Sequence, residues 1–548
     1  MLQTGERKKR YIFFLLGTLA WTAAVLWVNF HSAQWYNFDM YADASVAKRM
    51  AEQNTFFPEN WIFGNQYYII ASPAIASLFY HVFHNSVLAM SCAASLMFVL
   101  ILLCYAWFTR PLFSEKARWA GIFCMAGATI LGDSISSSTY GFQILYTMAA
   151  YYACYLLVIV IHLGIWIRLR REIKVSKVVL ILALIGSFTL GLQSPREMLS
   201  LCIPLFLITG LMWLLHKKEQ GERKSFLFAV SSIVANFLGM CGNRMIKQHW
   251  GSSYLSNVNT VGSNGAGATL PDKIRESCGA FLDLVGMRYF DYSWKWKPLA
   301  VLGMLLLCAA AAALLIGLRK QNRMKDPMLP LAFCWISLLG VFAAGILMIQ
   351  VRSIYYFVWY LLVPISVSFL CDILQGREKT ILCFGIVFLG AMNFFYNLYP
   401  DVSKYREQKQ FFSETVSWLE EREISTVYGD YQTPTIAACS EDRLDFCSVF
   451  PNAGAKGEGK NGILIPNGSP VATEHYQNVD PVHSVLILSD SPYDEMSGYR
   501  FLNAHTSEEF RELFEEIFTQ EACFASSQIT YYVYSFSEPD LFPDENIF

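Results

Sequence analysis

Apolar runs long enough to cross a bilayer follow one another through most of this chain. They fall at Tyr11–Phe30, Ser86–Phe108, Arg118–Leu131, Phe142–Ile167, Val178–Leu192, Met198–Leu215, Phe226–Cys241, Pro298–Leu318, Leu329–Ile349, Tyr355–Cys371 and Ile381–Asn397. At about 1.5 Å per helical residue, some 20 such residues span a hydrocarbon core of about 30 Å. The pattern therefore predicts a polytopic α-helical membrane protein of about eleven spans. Arg118–Leu131 and Val178–Leu192 are the shortest of them. Only 16 % of residues are charged, below the roughly 25 % of soluble domains, which excludes a soluble enzyme. No nucleic-acid partner is expected.

The connections between runs set the orientation. Arg110–Arg118, Arg168–Lys177, His216–Lys224, Arg319–Asp326 and Gly376–Lys379 are basic, whereas Gly132–Gly141, Leu192–Glu197 and Gln350–Tyr355 are short and nearly free of lysine. That alternation is the positive-inside pattern and places the amino terminus in the cytoplasm. The run Tyr11–Phe30 follows the basic head Arg7–Arg10, lacks a small-residue cleavage site and is expected to remain as an anchor. By parity, a first loop (32–85), a long loop (243–297) and everything after 398 lie outside the cell.

The first outer loop carries the chemistry-bearing pattern. Asp39 stands just past a membrane boundary, and Val46, Ala47, Met50 and Ala51 then recur at helical spacing, as in a helix lying along a membrane surface. Phe56, Phe57, Trp61, Phe63, Tyr67 and Tyr68 follow, aromatics of the kind that settle among headgroups, broken by Pro58 and Gly64. In the long loop, the glycine-rich run Gly262–Thr269 has no Gly-Lys-Ser/Thr after it and no strand before it. It reads as a mobile loop rather than a phosphate cradle.

After Tyr399 the composition becomes that of a soluble domain. A helix near Ser403–Arg422 leads into strand-like runs at Thr426–Tyr431, Leu444–Phe450, Gly462–Ile465, Val485–Ser489 and Thr530–Phe536, with a helix at Glu508–Phe518. This predicts an extracytoplasmic α/β domain over 399–548, with no nucleophile elbow, metal cluster or dinucleotide fingerprint. An acceptor-binding or covering role is expected of it. Most of the 14 cysteines lie within apolar runs and read as small buried hydrophobes; Cys439 and Cys447 are close enough in sequence for a bridge.

A first outer loop opening on Asp39, then Tyr41-Ala42, with Met50 eleven positions after the acid, an amphipathic Ser72–His84 segment and an outer α/β tail resembles the GT-C superfamily of polyprenyl-phosphate-sugar-dependent glycosyltransferases. The likeness is to the bacterial branch related to protein O-mannosyltransferases and the lipid A aminoarabinose transferase. Where that branch has Glu beside the Asp, this chain has Met40, and its next acid is Asp43. The resemblance implies a GT-C-like catalytic domain over 1–398 in a bacterial plasma membrane. It also implies an inverting transfer of sugar from a polyprenyl-phosphate carrier to an envelope glycan, lipid or protein on the outer face.

Such a reaction needs a base, fixed cations for the departing phosphate and a groove for the lipid. Asp39 is the expected base; Asp43 either assists it or caps a helix that starts after it. Arg196 and Arg352, with Tyr355, are the expected phosphate contacts, since an arginine fork takes two phosphate oxygens at once. The alternatives are that Arg352 snorkels to headgroups and that Arg196 pairs with Glu197. Asp133 with Asp39 suits a divalent metal, Mg or Mn, through hard oxygen ligands, or else caps a helix. His81 and His84 read as interfacial packing. Two other functions fit the same layout: a lipid-linked glycan transporter or flippase, and a non-catalytic GT-C-like scaffold.

Overall fold

The computed structural model describes residues 2–62, 71–131, 142–148, 150–249, 269–319, 325–347, 351–452, 462–466, 471–472, 474–491, 497–505, 508–538 and 541–542. Among them, nine helices are long and apolar enough to cross a membrane. Two further apolar runs form helices too short for that measure, Glu115–Phe123 with a π-helical turn at Cys124–Ala128, and Lys177–Gln193. These are the runs whose sequences are shortest. Leu103, Ile181, Leu215, Phe237 and Phe384 are exposed on the bundle's outside, where lipid rather than water accounts for them. The molecule is a polytopic helical membrane protein with a C-terminal α/β domain.

Three local devices shape the bundle around the site. The run Phe142–Ile167 does not form one helix: a single turn at Phe142–Leu145 stands apart from the long helix that begins at Ala153, and the backbone between them turns through positive φ at Met148 and Ala150. Backbone outside a helix needs partners when it is buried. Asn29 of the first span supplies them, its amide donating to the Tyr146 carbonyl and accepting from the Met148 N–H, both at 3.1 Å. Likewise the short Glu115–Ala128 segment breaks at Gly127, φ 124°, and Asn393 donates to the carbonyls of Gly127 and Ile130 at 3.1 and 2.8 Å. Lys177–Gln193 lies against Gln220–His249 at glycine contacts: a Cβ on Gly239 would sit 2.0 Å from the Phe188 carbonyl.

The first-loop helix runs from Phe38 to Glu52 and starts at Asn37, whose side chain accepts the Met40 N–H at 3.2 Å. Asp39 therefore lies in its first turn, where a carboxylate favours the helix dipole. Asp43 is inside the helix and caps nothing. Nor does the helix lie on a membrane surface: Val46, Ala47, Met50 and Ala51 are buried against helices Ser72–Phe83 and Ser86–Thr109. The C-terminal domain covers another side.

That domain is a six-stranded mixed sheet. In chain order, β1 (Trp61–Ile62) belongs to the first loop and pairs with β5 (Val471–Ala472). The main sheet comprises β2 (Thr426–Gly429), β3 (Asp445–Pro451), β4 (Leu464–Pro466), β6 (Ser484–Asp490), β7 (Phe518–Ala525) and β8 (Thr530–Phe536), in the order β4-β3-β2-β6-β8-β7. β2 is parallel to both β3 and β6; β8 and the edge strand β7 continue antiparallel on one side, and the edge strand β4 is antiparallel on the other. β6 is buried along Val485–Leu488, as a strand covered on both faces must be. Cys439 and Cys447 are both free thiols, so the bridge is not formed; Cys447 is buried on β3. The helix Tyr399–Glu420 continues the last span through a π turn at Phe394–Leu398.

The domain grips the first loop at many points. The Tyr41 hydroxyl donates to the Leu444 carbonyl at 3.4 Å, and accepts from the Phe446 N–H at 3.2 Å. Thr435 donates to the Tyr36 carbonyl at 2.6 Å. Arg49 pairs with Glu474, Lys48 with Asp445 at 3.5 Å, and Asp442 takes the N–H and hydroxyl of Ser86 at the head of the Ser86–Thr109 span.

Candidate active site

Asp39 is half-buried where the first loop, the Tyr146–Tyr152 turn and the C-terminal domain meet. Its Oδ2 accepts the Tyr431 hydroxyl at 3.1 Å, and its backbone carbonyl accepts the Tyr151 hydroxyl at 3.1 Å. Burial raises its pKa above the usual aspartate range, against the opposing pull of the Tyr431 hydrogen bond and the positive charge of Arg352. One helical turn on, Asp43 is fully buried, and its pKa is raised further, by burial first and then by the Asp39 charge, with the Tyr151 hydroxyl opposing. Both carboxyls therefore hold a proton more readily than an exposed aspartate does, Asp43 the more strongly.

Arg196 is held on the same side between two aromatic faces, its guanidinium 5.4 Å from the Tyr152 ring centre and 5.3 Å from that of Tyr355. This is cation–π geometry. It does not pair with Glu197, which turns into the bundle and accepts from Ser187 and Asn236, both at 2.7 Å. Sequence neighbours point opposite ways because the Ser194–Glu197 connection enters a π turn at Met198–Cys202. Arg352 is exposed at the start of the single 3-10 turn Ser353–Tyr356, which Tyr356 pins through its hydroxyl to Ser277 at 2.6 Å. Tyr152 lies within electrostatic reach of both arginines. Arg352 also lies within electrostatic reach of Asp39, so Asp39, Arg352, Tyr152, Arg196 and Tyr355 are linked in succession.

No family model and no curated protein matches this chain. Two solved structures resemble it in outline. One is ArnT from Cupriavidus metallidurans bound to undecaprenyl phosphate, at a TM-score of 0.38 and 12 % identity, covering 94 % of this chain and 97 % of that one. The other is the apo state of ArnT from the same organism, at 0.39 and 10 %, covering 95 % and 98 %. A likeness at that score adds no weight to the site, which rests on its own geometry.

Other sequence candidates separate from this cluster. Asp133 lies outside the described residues, as do the glycine-rich run and Phe63, Tyr67 and Tyr68 of the first loop. Among the described residues, no group of three His, Cys, Asp or Glu side chains converges on a metal position. Asp39 Oδ2 is already engaged by the Tyr431 hydroxyl. His81 and His84 are exposed at the end of Ser72–Phe83, where His84 terminates the helix in a left-handed conformation.

Sequence reasoning missed the tyrosines. Tyr151 and Tyr152 fall inside the apolar run Phe142–Ile167, while Tyr431 reads as the last residue of a strand. In the structure β2 stops at Gly429 and Tyr431 sits in the turn beyond it. The available signal was Gly429-Asp430-Tyr431 at the carboxyl end of a parallel strand, where α/β sheets place their functional loops.

Proposed function

We propose that this protein is an inverting membrane glycosyltransferase, which moves a sugar from a polyprenyl-phosphate carrier to an envelope glycan, lipid or protein on the outer face of a bacterial plasma membrane. Residues 1–398 form its catalytic domain, and 399–548 an extracytoplasmic domain that covers the site. The observation that carries this function is a carboxylate, Asp39, within electrostatic reach of Arg352, which shares Tyr152 with a second arginine, Arg196. Carboxylate and arginine fork answer the two charge changes that transfer from a phosphate ester demands.

In the proposed reaction Asp39 takes the proton of the acceptor hydroxyl as that oxygen bonds to the anomeric carbon. The bond from that carbon to the phosphate oxygen breaks, and its electron pair leaves on the polyprenyl phosphate. Arg196, held between Tyr152 and Tyr355, and Arg352, exposed at the start of its turn, take up the charge on the departing oxygens. The chain of the carrier is buried in lipid and apolar protein surface, at about 0.8 kcal/mol per CH₂. No step is assigned to a metal.

The test is reconstitution with a polyprenyl-phosphate sugar. Asp39→Asn keeps the shape of the side chain and removes its basicity, so transfer is expected to fall by about 10²- to 10⁴-fold with unchanged thermal unfolding. Turnover within a few-fold of the wild type removes Asp39 from the reaction.

A further inference from the structure

We infer that Tyr431, carried by the C-terminal domain, is a positioning residue for Asp39, which makes that domain part of the catalytic apparatus rather than a cover over it. This rests on the transferase function proposed above and assigns a role within it. The Tyr431 hydroxyl donates to Oδ2 of Asp39 at 3.1 Å, across 392 positions of sequence. An anchored Oδ2 leaves Oδ1 to meet the acceptor's proton, so the hydrogen bond fixes both which oxygen is the base and which way it faces.

The loop bearing Tyr431 is built to hold a position. It leaves β2 at the point where the order of the sheet reverses, with β3 on one side and β6 on the other. The buried Asp430 carboxylate accepts from the backbone N–H groups of Gln432, Ser489 and Gly498 at 2.9, 2.6 and 2.9 Å. It also accepts from the hydroxyls of Thr433 and Ser489 at 3.1 and 3.0 Å. A Cβ at Gly498 would meet that carboxylate at 2.5 Å, so the approach requires glycine. Tyr531 fastens the next residue, donating to the Gln432 carbonyl at 3.1 Å.

The receiving side is equally fixed. Thr435 ties the helix after this loop to the Tyr36 carbonyl, three residues before Asp39. Trp35 donates to Gln408 at 3.0 Å, and the Phe38 ring lies 6.1 Å from that of Tyr431. The contact between hydroxyl and carboxylate lies where two scaffolds meet, and Thr435 and Gln408 tie the same two together on either side of it. A hydrogen bond donated to a carboxylate favours its charged form, so Tyr431 also opposes the rise in pKa that burial imposes on Asp39.

The experiment uses the full chain in lipid nanodiscs and the variant Tyr431→Phe, which removes one oxygen and leaves the ring. Two measurements are made across pH: transfer from a polyprenyl-phosphate sugar, and labelling of Asp39 by a water-soluble carbodiimide with an amine, read by peptide mass spectrometry. Carbodiimide needs the protonated acid and no sugar substrate. In Tyr431→Phe the labelling midpoint and the acid limb of kcat/KM are expected to move together to higher pH. At the plateau, kcat is expected to fall about tenfold or more with KM for the lipid donor unchanged. Unfolding temperatures that match the wild type exclude a general loss of structure.

A labelling midpoint that stays at its wild-type pH overturns the assignment, whatever happens to activity. Shifted labelling in a protein whose wild type transfers no sugar sinks the transferase function instead, and leaves the coupling of Tyr431 to Asp39 standing.

Discussion

Asp43 has no basic residue beside it, and the causes that raise its pKa are burial and the negative charge of Asp39. Folding therefore favours its protonated form. That contribution is complete below the ordinary aspartate range and is lost as pH climbs through the raised value of the folded state. Asp43→Asn removes the ionisation together with this slope. Melting temperatures of variant and wild type are expected to coincide near about pH 4, with the variant the higher by about pH 8; parallel curves would show that Asp43 is ionised in the folded protein. Arg196 poses the converse case, a charge that burial does not switch off. Arg196→Lys keeps the charge but loses the flat surface lying between Tyr152 and Tyr355. KM for the lipid donor is expected to rise about tenfold, the equivalent of about 1.4 kcal/mol, and an unchanged KM would place the phosphate elsewhere.

At the scale of elements, close approach between helices rests on particular glycines. On Gly239 an added methyl meets the Phe188 carbonyl at 2.0 Å, whereas on Gly385 it meets nothing within 4 Å. Gly239→Ala is expected to cost about 1–3 kcal/mol, and Gly385→Ala to be neutral or slightly stabilising through helix propensity; paired thermal unfolding curves decide it. The long apolar helices, the α/β character of the tail and five of its strands were legible in the sequence, because length and period write them plainly. Element ends were not. The sequence offers Asp43 as a cap, but the helix already starts after Asn37, whose side chain accepts the Met40 N–H. β7 was hidden because it starts at Phe518, directly after the helix Glu508–Ile517, leaving no turn signal between them. The break before Ala153 was invisible for a different reason: its partner, Asn29, lies more than a hundred residues earlier.

Over the whole molecule, the outer ends of spans could be picked out from the charge of the connections. Arg196 and Arg352 were singled out in this way, as rare cations on the side with few lysines, whereas Asp39 and Tyr355 came from the family resemblance. Tyr431 could not be, because no periodicity or charge pattern reports which loop of a second domain will reach back to the first. The basic connections do form ion pairs on their own side, Arg170 with Glu222 at 2.7 Å and Arg171 with Asp326 at 2.6 Å. Opposite them, the sheet domain and the Asp39 site share one face, so the orientation of either fixes that of the other. Cys523, exposed on β7, reports on that face, and Glu172, exposed in the Arg168–Lys177 connection, reports on the basic one. If positive charge is retained in the cytoplasm, a membrane-impermeant maleimide applied to intact cells modifies Cys523, while a Glu172→Cys variant reacts at position 172 only after permeabilisation. Labelling of position 172 from outside would invert the molecule, put Asp39 and Tyr431 in the cytoplasm, and end any role on sugars displayed at the outer leaflet.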